Sequence, residues 1–169
     1  MKTRLLLLIT LTATSWAQDK PLASPHAVLT QTVGLTDITI EYHRPAVKGR
    51  KVWGGLVPFG EVWRTGANQN TTITFSKDVK IEGQALKAGT YGFHTIPGES
   101  EWTVIFSSDS KSWGSFSYDQ KKDVLRVKVK SEKSEFVERM RFTVDDMTDS
   151  SCSIVLQWAN LKLVVSCQV

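Results

Sequence analysis

Apolar side chains recur at every second position through most of the chain beyond residue 26, and this period of two leaves little room for anything but strands. Ala27 to Val33 reads as a first strand, and a turn at Gly34-Leu35-Thr36 leads into Asp37 to Arg44, with Ile38, Ile40 and Tyr42 on one face. Thr71 to Phe75 alternates in the same way. Leu125, Val127 and Val129 alternate with Arg126, Lys128 and Lys130, and Met140, Phe142 and Val144 alternate with Arg139 and Arg141. No stretch of ten or more residues carries a helical stripe. Roughly ten short strands separated by turn residues predict an all-β domain, a single β-sandwich of jelly-roll-like type.

Three hairpins can be placed by arithmetic, because facing residues of an antiparallel pair have a constant sum of residue numbers. Val79–Ile81 and Gln84–Leu86 face each other across Glu82-Gly83, a two-residue turn. Thr90–Ile96 pairs with Glu101–Ser107 across Pro97–Ser100 at a sum of 197, which sets Tyr91 opposite Phe106 and Phe93 opposite Val104. At the C-terminus a turn at Ala159-Asn160 gives a sum of 319, with Leu156 opposite Leu163 and Cys152 opposite Cys167. Facing cysteines in an exported protein predict a Cys152–Cys167 disulfide, and the competing reading is two buried thiols filling the core face.

Export is predicted by the first 17 residues. Lys2 and Arg4 precede an apolar run from Leu5 to Ala13, and Ser15-Trp16-Ala17 presents small residues to a signal peptidase. The run is too short to span a bilayer, for which about 20 residues are needed. Residues 1–17 are therefore read as a signal peptide and 18–169 as a single domain, periplasmic or secreted. Cleavage lowers the formal net charge from +4 to +2, since 19 basic residues then stand against 17 acidic ones. A nucleic-acid partner is not expected of so nearly neutral a domain. No transmembrane segment is expected either.

One region escapes the alternation. Residues 45–70 hold five of the eleven glycines and two of the five prolines, and a connection this long without regular structure is often functional. At its edges lie Arg44, Arg50, Trp63, Arg64 and Asn68, with Lys48, Lys51 and Trp53 among them. Guanidinium groups bind carboxylates and phosphates through paired hydrogen bonds, tryptophan supplies a flat wall, and asparagine both donates and accepts. The set is read as a site for a small anionic or carbohydrate ligand. The competing reading is architectural: the arginines tie a long loop to carboxylates or carbonyls whose hydrogen bonds must be satisfied somewhere.

The blocks Arg44-Pro45, Lys48-Gly49-Arg50, Gly55-Leu56-Val57-Pro58, Trp63-Arg64-Thr65-Gly66-Ala67-Asn68, Ala88-Gly89-Thr90-Tyr91 and Ile96-Pro97-Gly98 before Glu101-Trp102, with Trp113-Gly114 and the strand from Asp123 to Lys130, resemble a bacterial secreted family known as domain of unknown function 2911. The resemblance covers nearly all of the chain from about Ser24. It implies an exported β-rich domain of Gram-negative bacteria and brings no established reaction, so no catalytic residue is carried over. His43 and His94 stand where the family pattern has serine and an apolar or aromatic residue. The two cysteines lie outside that pattern.

Other chemistries are weaker in the sequence. His26, His43 and His94 are widely spaced, without the pairing a metal site needs. No nucleophile elbow, phosphate loop or dinucleotide fingerprint occurs, so no cofactor is expected. The basic row Arg126, Lys128, Lys130, Arg139 and Arg141 is read as a solvated outer face. A binding domain is favoured over an enzyme. The alternatives are an envelope hydrolase using His94 or Glu61 as base in the same cleft, and a purely structural or protein-interaction domain.

Overall fold

The computed structural model describes residues 20–169, and the expected signal peptide lies outside them. Nine strands account for the described chain: β1 (His26–Val33), β2 (Thr36–His43), β3 (Thr72–Phe75), β4 (Val79–Ile81), β5 (Gln84–Leu86), β6 (Gly89–Ile96), β7 (Glu101–Ser107), β8 (Asp123–Asp145) and β9 (Ser151–Gln168). The all-β class is as expected. The one helical element among the described residues is a 3₁₀ turn, Gln120–Lys122, capped by the Asp119 side chain. The strands form one open antiparallel sheet in the order β1-β2-β3-β6-β7-β8-β9-β4-β5.

The sheet bends over on itself around a single core. Phe142, late in β8, packs edge-on against Tyr42 of β2 and Phe93 of β6, with ring centroids 4.9 and 5.7 Å apart. The Tyr42 hydroxyl accepts from the Phe142 amide, which satisfies a polar group in that apolar contact. Alternation does the sorting: Ile38, Ile40 and Tyr42 of β2, Phe93 of β6, Trp102, Val104 and Phe106 of β7 and Leu156, Leu163 and Val165 of β9 are all buried. At one end Trp53 meets Trp63, Trp102 and Trp158 edge-on, and Trp63 stacks on Trp158.

The hairpin arithmetic holds with one revision. β4 and β5 pair as expected, Ile81 opposite Gln84, and Glu82 and Gly83 both take the positive φ that a tight turn of this hand requires. The end of β9 returns to its beginning. The Val169 amide donates to the Ser150 carbonyl at 2.9 Å, a pair whose sum is 319. Eighteen extended residues would otherwise separate these ends by about 60 Å, so β9 doubles back, and Ala159 takes φ 53 at the predicted turn. In the β6–β7 hairpin the sum is 199, not 197: Phe93 faces Phe106 and Ile96 faces Thr103. The connection is two residues longer because Glu101 and Trp102 pair with β8 alone, while the Pro97 carbonyl is taken by the Gly60 amide. A slip of two keeps every side chain on its face, so the buried set is unchanged.

The stretches around Leu125 and Met140 are the two ends of one long strand, β8, so the basic residues at its two ends do not lie side by side. Arg126 is bonded to Asp123, Arg139 to the Ala23 carbonyl and Arg141 to Gln157. One expectation is corrected. The cysteines are buried free thiols, not a disulfide. Ser150 and Val169 exchange a main-chain bond, so Cys152 and Cys167, one step of two further in, are also a hydrogen-bonded pair, in which side chains stand farther apart. The two thiols share a hydrogen bond. That bond and burial push Cys167 well above the ordinary thiol range.

A cleft around Arg64

The loop from residue 44 to 71 is held mainly by its own arginines and by main-chain bonds. Arg44 Nε donates to the Met140 carbonyl at 2.9 Å. Arg50 Nε and Nη2 donate to the carbonyls of Val47 and Ala46 at 3.0 and 2.6 Å. Asn68 sits at φ 56 and donates to the Ser24 carbonyl at 3.2 Å. Trp63 gives its Nε1–H to the Gly66 carbonyl and its ring to the tryptophan cluster. Four of the five residues read as ligand-binding thus serve the loop's architecture: buried carbonyls need donors, and these side chains supply them.

Arg64 is the exception. Its guanidinium makes no ion pair and no hydrogen bond with the described residues, and Nε is buried without a partner. Burial draws its pKa below the usual arginine value. Position is set by the main chain: Trp63 and Thr95 form an antiparallel bridge, and Thr65 Oγ1 donates to Thr95 Oγ1 at 3.1 Å. The guanidinium lies beside Gly114, where an added Cβ would come within 3.7 Å of Nη1. Two adjoining cavities share Arg64, Trp63, Leu56 and Val57. One, of about 390 Å³, is also lined by Glu61, Ser115 and Phe116. The other, of about 230 Å³, reaches Ser24, Arg50 and Trp158. Ser115, which lines the larger cavity, keeps a buried Oγ without a partner among the described residues.

Sequence reasoning named His94 but missed the polar cluster that surrounds it next to this cleft. His94, Ile105 and Arg126 face one another on successive strands β6, β7 and β8, on the side of the sheet away from the core. The segment 108–119 covers them. Tyr118 packs its ring 5.4 Å from that of His94 and donates to Asp123 Oδ2, which also accepts from Arg126 at 2.8 Å. Burial, and then the bond to Asp123, push the Tyr118 hydroxyl up to about 12. His94 is 2% exposed, its Nδ1 has no partner among the described residues, and burial lowers its pKa to about 4. Alternation with Phe93 gives His94 its outward side, while no local signal in 108–119 marks that segment as a cover.

His43, at the end of β2, lies 5.1 Å ring to ring from His26, whose Nε2 bonds Glu41 at 2.8 Å. Burial lowers the His43 pKa, and the charges of His26 and Arg64 act in the same direction. The described residues hold no group of three or more His, Cys, Asp or Glu side chains placed to share a metal ion. No helix among them is long and apolar enough to cross a membrane.

Fold and site together define an all-β domain with an unpaired arginine in a loop-covered cleft. The chain belongs to the family described as "Protein of unknown function (DUF2911)", whose model matches residues 24–167. No curated protein and no solved structure matches it.

Proposed function

We propose that the protein is an exported binding domain whose ligand is a small anion held at Arg64. The observation that carries this reading is a partly buried guanidinium on the wall of a cleft that makes no ion pair with the described residues, Glu61 on the same wall included. A buried cation is costly unless it is paired, and an incoming carboxylate or phosphate would supply the pair in bidentate form. Leu56, Trp63 and Phe116 give the ligand apolar walls. Sugar acids fit that mixture of one anionic group and a carbon skeleton. Export rests on the basic, apolar and small-residue order of residues 1–17. It places the domain in the periplasm or outside the cell.

Hydrolysis in the same cleft has less support. Burial makes His94 a weak base, and no carboxylate among the described residues hydrogen-bonds its ring. A thermal-shift screen against sugar acids, dicarboxylates and phosphate esters tests the binding reading, since a ligand raises Tm by mass action. A shift with an anionic compound that disappears in Arg64→Gln supports it. No shift with any anion, or a shift that Arg64→Gln leaves intact, refutes it.

A further inference from the structure

A second cavity, of about 240 Å³, lies on the other flank of the covering segment, between Ser110–Trp113 and the ends of β2 and β3. Its chemistry differs from that of the Arg64 cleft. Gln69, Asn70, Thr72, Ser110 and Ser112 line it with amides and hydroxyls, groups that both donate and accept. Glu41 and Lys111 add one charge of each sign, so the wall is close to neutral. Asn70 is 7% exposed, and its Oδ1 has no partner while its Nδ2 points to the Asp109 carbonyl. Trp113 closes one side with a ring that is 59% exposed and so open to a ligand.

We infer that this cavity is a subsite for one ring of a neutral sugar. Vicinal hydroxyls match a wall of amides and hydroxyls, because each ligand O–H must both give and receive a hydrogen bond once it leaves water. The C–H face of a pyranose is flat, apolar and weakly positive at its hydrogens, which suits the negative face of an indole. An anion would meet Glu41 and a cation would meet Lys111, so a net charge gains nothing here. The volume is below the range of most drug-sized pockets, which limits the occupant to a single ring.

The inference does not depend on anion binding at Arg64, and the test separates the two. Methyl α-D-glucopyranoside, methyl β-D-galactopyranoside and N-acetyl-D-glucosamine are titrated into the protein, with tryptophan fluorescence and saturation-transfer NMR as readouts. At least one sugar saturates with a Kd no weaker than about 10 mM, the regime of a single-ring contact. Trp113→Ala, a change at an exposed position that leaves the thermal transition in place, weakens that sugar at least about tenfold. Gln69→Ala weakens it as well, and Arg64→Gln leaves it unchanged. The absence of saturation for all three sugars overturns the subsite, as does equal affinity in Trp113→Ala. Tighter binding of a free amino acid such as glycine, lost in both Glu41→Gln and Lys111→Gln, would make the cavity a zwitterion site and also overturn it.

Discussion

Trp63 and Thr95 exchange both main-chain hydrogen bonds, Trp63 N to Thr95 O at 2.8 Å and Thr95 N to Trp63 O at 2.9 Å. The long loop is thereby fastened to β6 immediately before Arg64. The bridge fixes the backbone on which the partly buried Arg64 is carried.

The loop's arginines should therefore separate by role. Arg50→Ala removes two donors from the buried carbonyls of Ala46 and Val47, and urea denaturation should record a loss of about 2 kcal/mol. Arg64→Ala leaves no acceptor stranded and should change stability by less than about 1 kcal/mol. A collapse of the melting transition in Arg64→Ala would make this arginine an anchor as well.

Cys152 and Cys167 should titrate as thiols. Both are buried, so a thiol reagent at neutral pH should leave the folded protein untouched and label two groups per chain in denaturant without reductant. Labelling that appears only after reduction would show a bridge in place of the hydrogen bond.

His94 makes stability depend on pH in a defined window. Its folded pKa is about 4 against 6.5 for the free side chain, so the unfolded state binds the proton more readily between these values. Stability is then unaffected by this group above pH 6.5 and falls as pH drops toward 4, by about 3 kcal/mol in total. His94→Phe should flatten that part of the urea stability profile relative to the native sequence. Identical slopes for the two proteins between pH 6.5 and 4 would contradict the burial of a neutral imidazole.

The turn within β9 makes a local prediction. Ala159 holds φ 53, a conformation that a β-branched side chain resists, so Ala159→Val should destabilise by about 2 kcal/mol. Ala159→Gly should cost less than about 1 kcal/mol, since glycine takes this conformation freely. Equal losses for both variants would argue against the chain reversing at this residue.

These contrasts also show which physics a sequence carries. Strand positions, the β4–β5 turn and the reversal at Ala159-Asn160 follow from alternation and turn chemistry, which are local. The slip in the β6–β7 register was invisible because it depends on Gly60 taking the Pro97 carbonyl and on Trp102 choosing β8, both long-range choices. Arg44, Arg50 and Asn68 were recognisable as polar residues of a functional-looking loop, but only the fold shows which carbonyls claim them. Arg126 reads as part of a solvated basic row, and Asp123 as the start of the same strand. Packing of 108–119 over the sheet turns them into part of a buried cluster with Tyr118 and His94.

The most direct measurement on the Arg64 cleft is a paired calorimetric titration of D-glucuronate, D-galacturonate and inorganic phosphate into the native protein and Arg64→Gln. A guanidinium that receives the ligand's anionic group should give saturable binding of at least one probe to the native protein. The variant should bind that probe about 30-fold more weakly, the equivalent of about 2 kcal/mol for a lost charge-assisted pair, with its thermal transition unchanged. Equal affinities in the two proteins, or no heat with any of the three anions, would contradict an anion site at Arg64.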